Sequence, residues 1–267
     1  MNTAVKKNRP AAVRVGIGGW TYAPWRGSFY PAGLPQAREL QHASRQLTSI
    51  EINGTYYGTF KPPTFRKWHD ETPEDFVFSL KASRFATNRK VLAGAGDSVA
   101  RFIDSGPQEL GAKLGPIVWQ FMPAKAFEAE DFEAFLALLP RKAGSRMLQH
   151  VMDVRHPSFL CGDYRALAAR YGVATVFTDA EKFPSFGEPD GPIAYARLMR
   201  AEPQHPAGYL PDALDAWARR AQGWARGRPA FVYFINGAKE RAPAAAQALL
   251  ERLGRTPRSA LAPGGGG

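Results

Sequence analysis

Short apolar runs alternate along this chain with stretches of helical period. The runs are Val13–Gly19, Ser49–Asn53, Phe76–Ala82, Gly115–Met122, Met147–His156, Ala174–Asp179, Ile193–Met199 and Ala230–Asn236. Many are continuous rather than alternating, as in strands of a parallel sheet covered on both faces. Between them, Ala37–Leu47, Thr64–Glu71, Ser98–Leu110, Ala129–Leu139, Tyr164–Tyr171, Asp212–Ala225 and Ala242–Leu253 read as helices. In Asp212–Ala225 the residues Leu214, Trp217, Ala221 and Trp224 fall at helical spacing, which predicts tryptophans packed onto a sheet. Eight strands with intervening helices predict an α/β fold, a TIM-type (β/α)8 barrel. One unit breaks the alternation. Glu181 to Pro192 is too rich in Pro and Gly for a full helix, so the sixth helix is predicted to be missing or reduced to a turn.

Nothing between the strands resembles a linker, so residues 13–257 read as one barrel domain. Residues 1–12, and residues 258–267 with their Pro-Gly-Gly-Gly-Gly end, are expected to be flexible tails. The basic, polar start has no apolar core of a signal peptide, and no run approaches the ~20 apolar residues of a membrane span. A single cysteine, Cys161, excludes an internal disulfide and fits a reducing, cytoplasmic setting. The 35 basic against 24 acidic residues give a net charge of +11, a field that attracts anions. The basic residues are scattered: Lys6, Lys7 and Arg9; Arg219, Arg220, Arg226 and Arg228; Arg252, Arg255 and Arg258. There is no Gly-rich phosphate loop, zinc-finger spacing or RNA-binding sheet motif.

In such barrels the chemistry sits at the C-terminal ends of the strands. Those ends carry Gly18, Gly19 and Trp20; Glu51 and Asn53, followed by Tyr56 and Tyr57; Lys81; Gln120; Asp153, Arg155 and His156; Asp179; Arg197; and Asn236. Strand alternation places Glu51 with Asn53, Ser79 with Lys81, Asp153 with Arg155, and Tyr195 with Arg197. If the apolar residues between them face the helices, these polar groups point into the barrel mouth. Two accounts of the cluster are then open: a self-neutralising ion network, or a site. As a site it assigns Glu51, Asp153 and Lys81 to catalysis, with Glu51 or Asp153 as general base. Trp20, Asn53, Tyr56, Gln120, Arg155, His156, Asp179, Arg197 and Asn236 are its expected ligand contacts. Arg forks and Lys suit phosphate or carboxylate, and Trp20 and Tyr56 suit a stacked ring. The interleaved cations would repel a divalent metal, so neither a metal nor another cofactor is expected. The partner so predicted is an anionic small molecule, phosphorylated or nucleotide-like, with metal-independent hydrolase or isomerase chemistry. The alternative is a basic, nucleic-acid-associated protein without small-molecule catalysis, whose binding falls steeply with salt.

Several segments are more specific: Gly18-Gly19-Trp20-Thr21-Tyr22 with Trp25 and Phe29-Tyr30-Pro31, Glu51-Ile52-Asn53-Gly54-Thr55-Tyr56-Tyr57, Phe76-Val77-Phe78-Ser79-Leu80-Lys81, Gly115-Pro116-Ile117-Val118-Trp119-Gln120-Phe121 and Asp153-Val154-Arg155-His156-Pro157-Ser158-Phe159. In this order they resemble the DUF72, or YecE-like, family. The resemblance implies a TIM-barrel-like fold and no established activity. The chain also departs from the family's pattern. A Thr-His pair is Thr87-Asn88 here, Glu-x-Arg-His-x-x-Trp has become Asp153 to Phe159, and Arg-x-His-Gly reads Arg197-Leu198-Met199-Arg200. The Asn-rich end of the eighth strand keeps one Asn, Asn236. Two imidazoles that the resemblance implies for the mouth are therefore absent.

Overall fold

The computed structural model describes residues 12–255; the expected tails, apart from Ala12, lie outside the described residues. Eight parallel strands close a barrel in sequential order, the last hydrogen-bonded to the first. They are β1 (Val13–Gly18), β2 (Ser49–Ile52), β3 (Val77–Lys81), β4 (Leu114–Gln120), β5 (His150–Asp153), β6 (Ala174–Thr178), β7 (Ala194–Leu198) and β8 (Ala230–Phe234). Around them lie α1 (Glu39–Gln46), α2 (Gly54–Tyr57), α3 (Pro62–Glu71), α4 (Arg84–Thr87), α5 (Gly96–Asp104), α6 (Ala129–Ala137), α7 (Gly162–Tyr171), α8 (Pro211–Trp224) and α9 (Ala242–Arg252). Between β6 and β7 the chain crosses without a helix, as its Pro and Gly content predicts. The fifth strand is shorter than its apolar run. Arg146–Met147 pairs antiparallel with Lys142–Ala143 in a separate hairpin, and Pro157 opens a short 3-10 turn.

The continuous apolar runs are strands buried on both faces, and β2, β5, β6, β7 and β8 are buried from end to end. Ile50, Ile52, Phe78, Leu80 and Trp119 join the core between sheet and helices. Phe177 meets Trp217 and Trp224 of α8 with ring centroids 5.8 and 5.6 Å apart, so those tryptophans do pack onto the barrel. Val118, Val151, Val176, Tyr195, Phe231 and Tyr233 form a second cluster. They are the alternate residues of β4 to β8, which places them inside the barrel.

Polar side chains bridge that interior. The Ser49 hydroxyl donates to the Val77 carbonyl at 2.6 Å and so accepts from the Tyr233 phenol at 2.6 Å. Ser79 Oγ lies 2.8 Å from Tyr195 Oη. Gly16 makes this layer possible. It is the register partner of both Ser49 and Tyr233, and a Cβ on it would lie 1.9 Å from the Ser49 carbonyl oxygen. Only a residue without a side chain lets the strands approach so closely. The Tyr195 phenol then reaches toward the strand ends.

Candidate ligand site at the barrel mouth

The Tyr195 phenol donates to Glu51 Oε2 at 2.7 Å, which fixes the carboxylate one layer below the mouth. Arg197 spans that layer. Its Nη2 donates to Glu51 Oε1 at 3.1 Å, and its Nη1 to Asp153 Oδ2 at 2.6 Å and Gln120 Oε1 at 3.2 Å. Arg155 Nη2 meets the same Asp153 oxygen at 2.9 Å and the same Gln120 oxygen at 2.8 Å. Its guanidinium also lies 4.4 Å from the centre of the Phe183 ring. Burial opposes a charge on Arg197, but Glu51 and Asp153 more than offset it and hold its pKa above the ordinary value. The alternation read from the sequence thus delivers one network from β2, β4, β5 and β7.

Lys81, at the end of β3, stands apart from it. The residue is 6% exposed and its Nζ lies 4.1 Å from the centre of the Tyr56 ring. It makes no ion pair or side-chain hydrogen bond among the described residues. Burial lowers its pKa to about 8, helped by Arg197 and Arg155 and opposed by Glu51 and Asp153.

Above these groups opens a cavity of about 640 Å³. Lys81, Gln120, Arg155 and Arg197 line one part, and Trp20, Tyr57, Phe60 and Trp68 form an aromatic wall. Trp20 and Trp68 meet edge to face, 5.3 Å between centroids, and the Tyr30 phenol donates to the Trp20 carbonyl. Gly18 keeps room for Asn53: a Cβ there would lie 2.8 Å from Asn53 Nδ2. Asn236 and Lys239 come from the loop after β8. Asn236 has φ 65°, unusual for a residue with a side chain and most often retained where surrounding structure or function demands it. Among the described residues, no Asp or Glu lines the cavity.

Of the residues singled out in the sequence, Trp20, Asn53, Lys81, Gln120, Arg155, Arg197 and Asn236 line this cavity. Glu51 and Asp153 lie behind the guanidinium groups, and Tyr56 lies against Lys81. His156 and Asp179 are not among the lining residues. His156 Nδ1 accepts from the Ser158 backbone at 3.2 Å, capping the turn that Pro157 opens. Asp179 accepts from the Met199 backbone at 2.5 Å and the Tyr209 phenol at 3.0 Å, and burial raises its pKa. It therefore ties down the chain after β7. Asn88, where the resemblance implies histidine, accepts from the Tyr56 phenol at 3.4 Å. Met199, the other such position, has its sulfur 3.9 Å from Asn236 Nδ2.

Sequence reasoning missed Lys239, Phe60 and Trp68 as lining residues. The available signal for Lys239 was its place in the loop after the last strand. Its Nζ lies 4.3 Å from the centre of the Tyr22 ring, and burial lowers its pKa. Several arginines of the scattered basic set are used internally. Arg220 pairs with Glu188 at 2.8 Å, Arg252 with Asp215 at 2.5 Å, and Arg228 donates to the carbonyls of Gly191 and Pro189. Lys6, Lys7, Arg9 and Arg258 lie outside the described residues. No helix of the described residues is long and apolar enough to cross a membrane, and no group of three or more His, Cys, Asp or Glu among them is placed to hold a metal ion.

A closed eight-stranded parallel barrel with its hollow at the strand ends is a TIM-barrel protein. Within that class, the chain belongs to the family described as "Protein of unknown function DUF72", whose model matches residues 14–265. It is 24% identical over 147 residues to the UPF0759 protein YecE of Escherichia coli K12, a match covering 55% of this chain and 50% of YecE. The chain thus spans about half the length of the curated relatives it matches. Among solved structures it is similar to a DUF72 family protein of Enterococcus faecalis, with a TM-score of 0.72 and 14% identity over 92% of this chain and 96% of that one. A DUF72 family protein of Thermotoga maritima gives a TM-score of 0.71 and 20% identity over 90% of this chain and 98% of that one. At these identities the structural likeness speaks to the fold.

Proposed function

We propose that the barrel mouth binds an anionic small molecule of the phosphorylated-sugar or nucleotide class. One observation carries the reading: among the described residues, Lys81, Arg155, Arg197 and Lys239 line the cavity, and no carboxylate does. The two carboxylates of the network sit behind Arg155 and Arg197 and serve to aim them. Arg155 commits its Nε and one Nη to Asp153 and Gln120, which leaves the other Nη to donate to a ligand oxygen. The wall of Trp20, Tyr57, Phe60 and Trp68 offers an apolar face to a ring beside that charged end.

Titration calorimetry with ribose 5-phosphate against ribose tests this. The phosphate compound binds and the neutral sugar does not. Arg155→Ala and Lys239→Ala each weaken binding by roughly 10- to 100-fold, the worth of one charge-assisted hydrogen bond. Folded variants that bind as tightly as the parent protein, or a parent protein that binds neither ribose 5-phosphate nor inorganic phosphate, would refute the proposal.

A further inference from the structure

The three mouth cations at the strand ends are not used alike. Arg155 and Arg197 are locked to Asp153, and Arg197 to Glu51 as well. Lys81 has neither a carboxylate in contact nor a hydrogen-bond partner among the described residues, although it is buried. Its amine nevertheless borders the cavity. A lysine meant only to hold an anion gains from a stable positive charge. This one is placed where charge is costly, largely buried and beside two guanidinium groups. That environment suits an amine that reacts, because the neutral form is the nucleophile.

We propose that Lys81 is a Schiff-base lysine, condensing with the carbonyl carbon of an anionic aldehyde or ketone bound in the mouth. The inference rests on the anion-binding reading above and adds the carbonyl to it. In the step, the Nζ lone pair forms the C–N bond and the carbonyl π pair moves onto oxygen. That oxygen leaves as water with both protons of the amine, giving an imine, and solvent protonates the imine nitrogen. The Tyr56 ring, 4.1 Å from Nζ, then faces the resulting cation as it faces the ammonium. Arg155 and Arg197 hold the substrate's phosphate or carboxylate beside the reacting carbon. The groups whose charge acts on Lys81 are Glu51 from β2, Asp153 and Arg155 at the end of β5, and Arg197 from β7, with Tyr56 of α2 against it. Their sum, with burial, sets the amine to titrate at about pH 8.

The test uses pyridoxal 5′-phosphate, an aromatic aldehyde with a phosphate, trapped with sodium borohydride and mapped by peptide mass spectrometry. At pH 7.5 an amine titrating at about pH 8 is roughly a quarter neutral, against about 0.1% for an ordinary lysine. Allowing for the lower nucleophilicity of a weaker base, Lys81 is expected to label about 10-fold faster than exposed lysines. Half-maximal labelling falls near pH 8, and Lys81→Met abolishes that label. Lys81→Arg also loses the label. If the parent protein binds phosphate yet Lys81 labels no faster than surface lysines, the inference fails and the anion site stands. If Lys81 labels fast but phosphate does not bind, the anion reading fails and the reactive amine stands. If neither occurs, both fail. Circular dichroism of each variant guards against loss of fold.

Discussion

Replacing Arg197 with methionine tests whether the network under the mouth holds together as its geometry requires. Arg197 is 2% exposed and bridges Glu51, which is fully buried, and Asp153. Its removal does not strand the two carboxylates equally. Asp153 keeps Arg155 at 2.9 Å, whereas Glu51 keeps only the Tyr195 phenol at 2.7 Å. Deleting one partner of a buried pair typically costs 3–5 kcal/mol, and a hydrogen bond to a charged group is worth about 1.5–3 kcal/mol. With the phenol bond retained, we expect Arg197→Met to cost about 3 kcal/mol, a large share of the roughly 5–15 kcal/mol that keeps a domain folded. In urea, where a chain of this size loses about 3 kcal/mol per molar denaturant, the midpoint falls by about 1 M. The second substitution is the sharper probe. Glu51→Gln alone costs about 1–2 kcal/mol, because Arg197 loses one anionic partner. Made in Arg197→Met, the same change removes the uncompensated charge and restores about 2 kcal/mol, so its effect reverses sign. The coupling of roughly 3 kcal/mol is read from a double-mutant cycle of urea melts followed by tryptophan fluorescence. A Glu51→Gln change that destabilises both backgrounds equally would refute the argument.

Two further outcomes follow from the same layer. The pKa of Lys81 falls to about 8 in the folded protein from its ordinary 10.5, so between those values the unfolded chain binds more protons and stability rises with pH. The stability of the parent protein relative to Lys81→Met should therefore increase by up to about 3 kcal/mol between pH 8 and pH 10.5, measured by urea melts of both proteins; a gap independent of pH would count against the buried amine. Gly16→Ala should destabilise by more than about 3 kcal/mol or abolish soluble expression, because its Cβ would sit 1.9 Å from a backbone oxygen of the neighbouring strand; a thermal midpoint within a few degrees of the parent would show that β1 and β2 can separate at no cost.

The barrel was legible because its signals are local. A strand buried on both faces must be apolar over several consecutive residues, and Ile50, Ile52, Phe78 and Leu80 announce their strands without reference to anything distant. The missing sixth helix was legible for the same reason, since Pro184, Pro189 and Pro192 forbid regular helix wherever the segment lies in space. The hairpin at residues 142–147 was not legible, because Met147 continues the apolar run into β5 and only the pairing with Lys142 separates them.

The site divides along the same line. Period-2 alternation carried Glu51, Lys81, Gln120, Asp153, Arg155 and Arg197 to one end of the barrel, because in a closed parallel sheet the end of a strand fixes both height and direction. One or two residues past a strand, that logic loses hold. His156 turns to cap the chain at Pro157, Asp179 turns to pin Met199 and Tyr209, and Lys239 comes back from the last loop to the mouth. Nor does alternation say which of two charged neighbours faces the cavity. Glu51 and Arg197 have the same inward direction, yet only Arg197 lines the hollow, because the Tyr195 phenol holds the shorter carboxylate down while the longer guanidinium reaches over it. The length of the side chain, added to the direction of the strand, gives the mouth its positive face from a layer that contains both signs of charge.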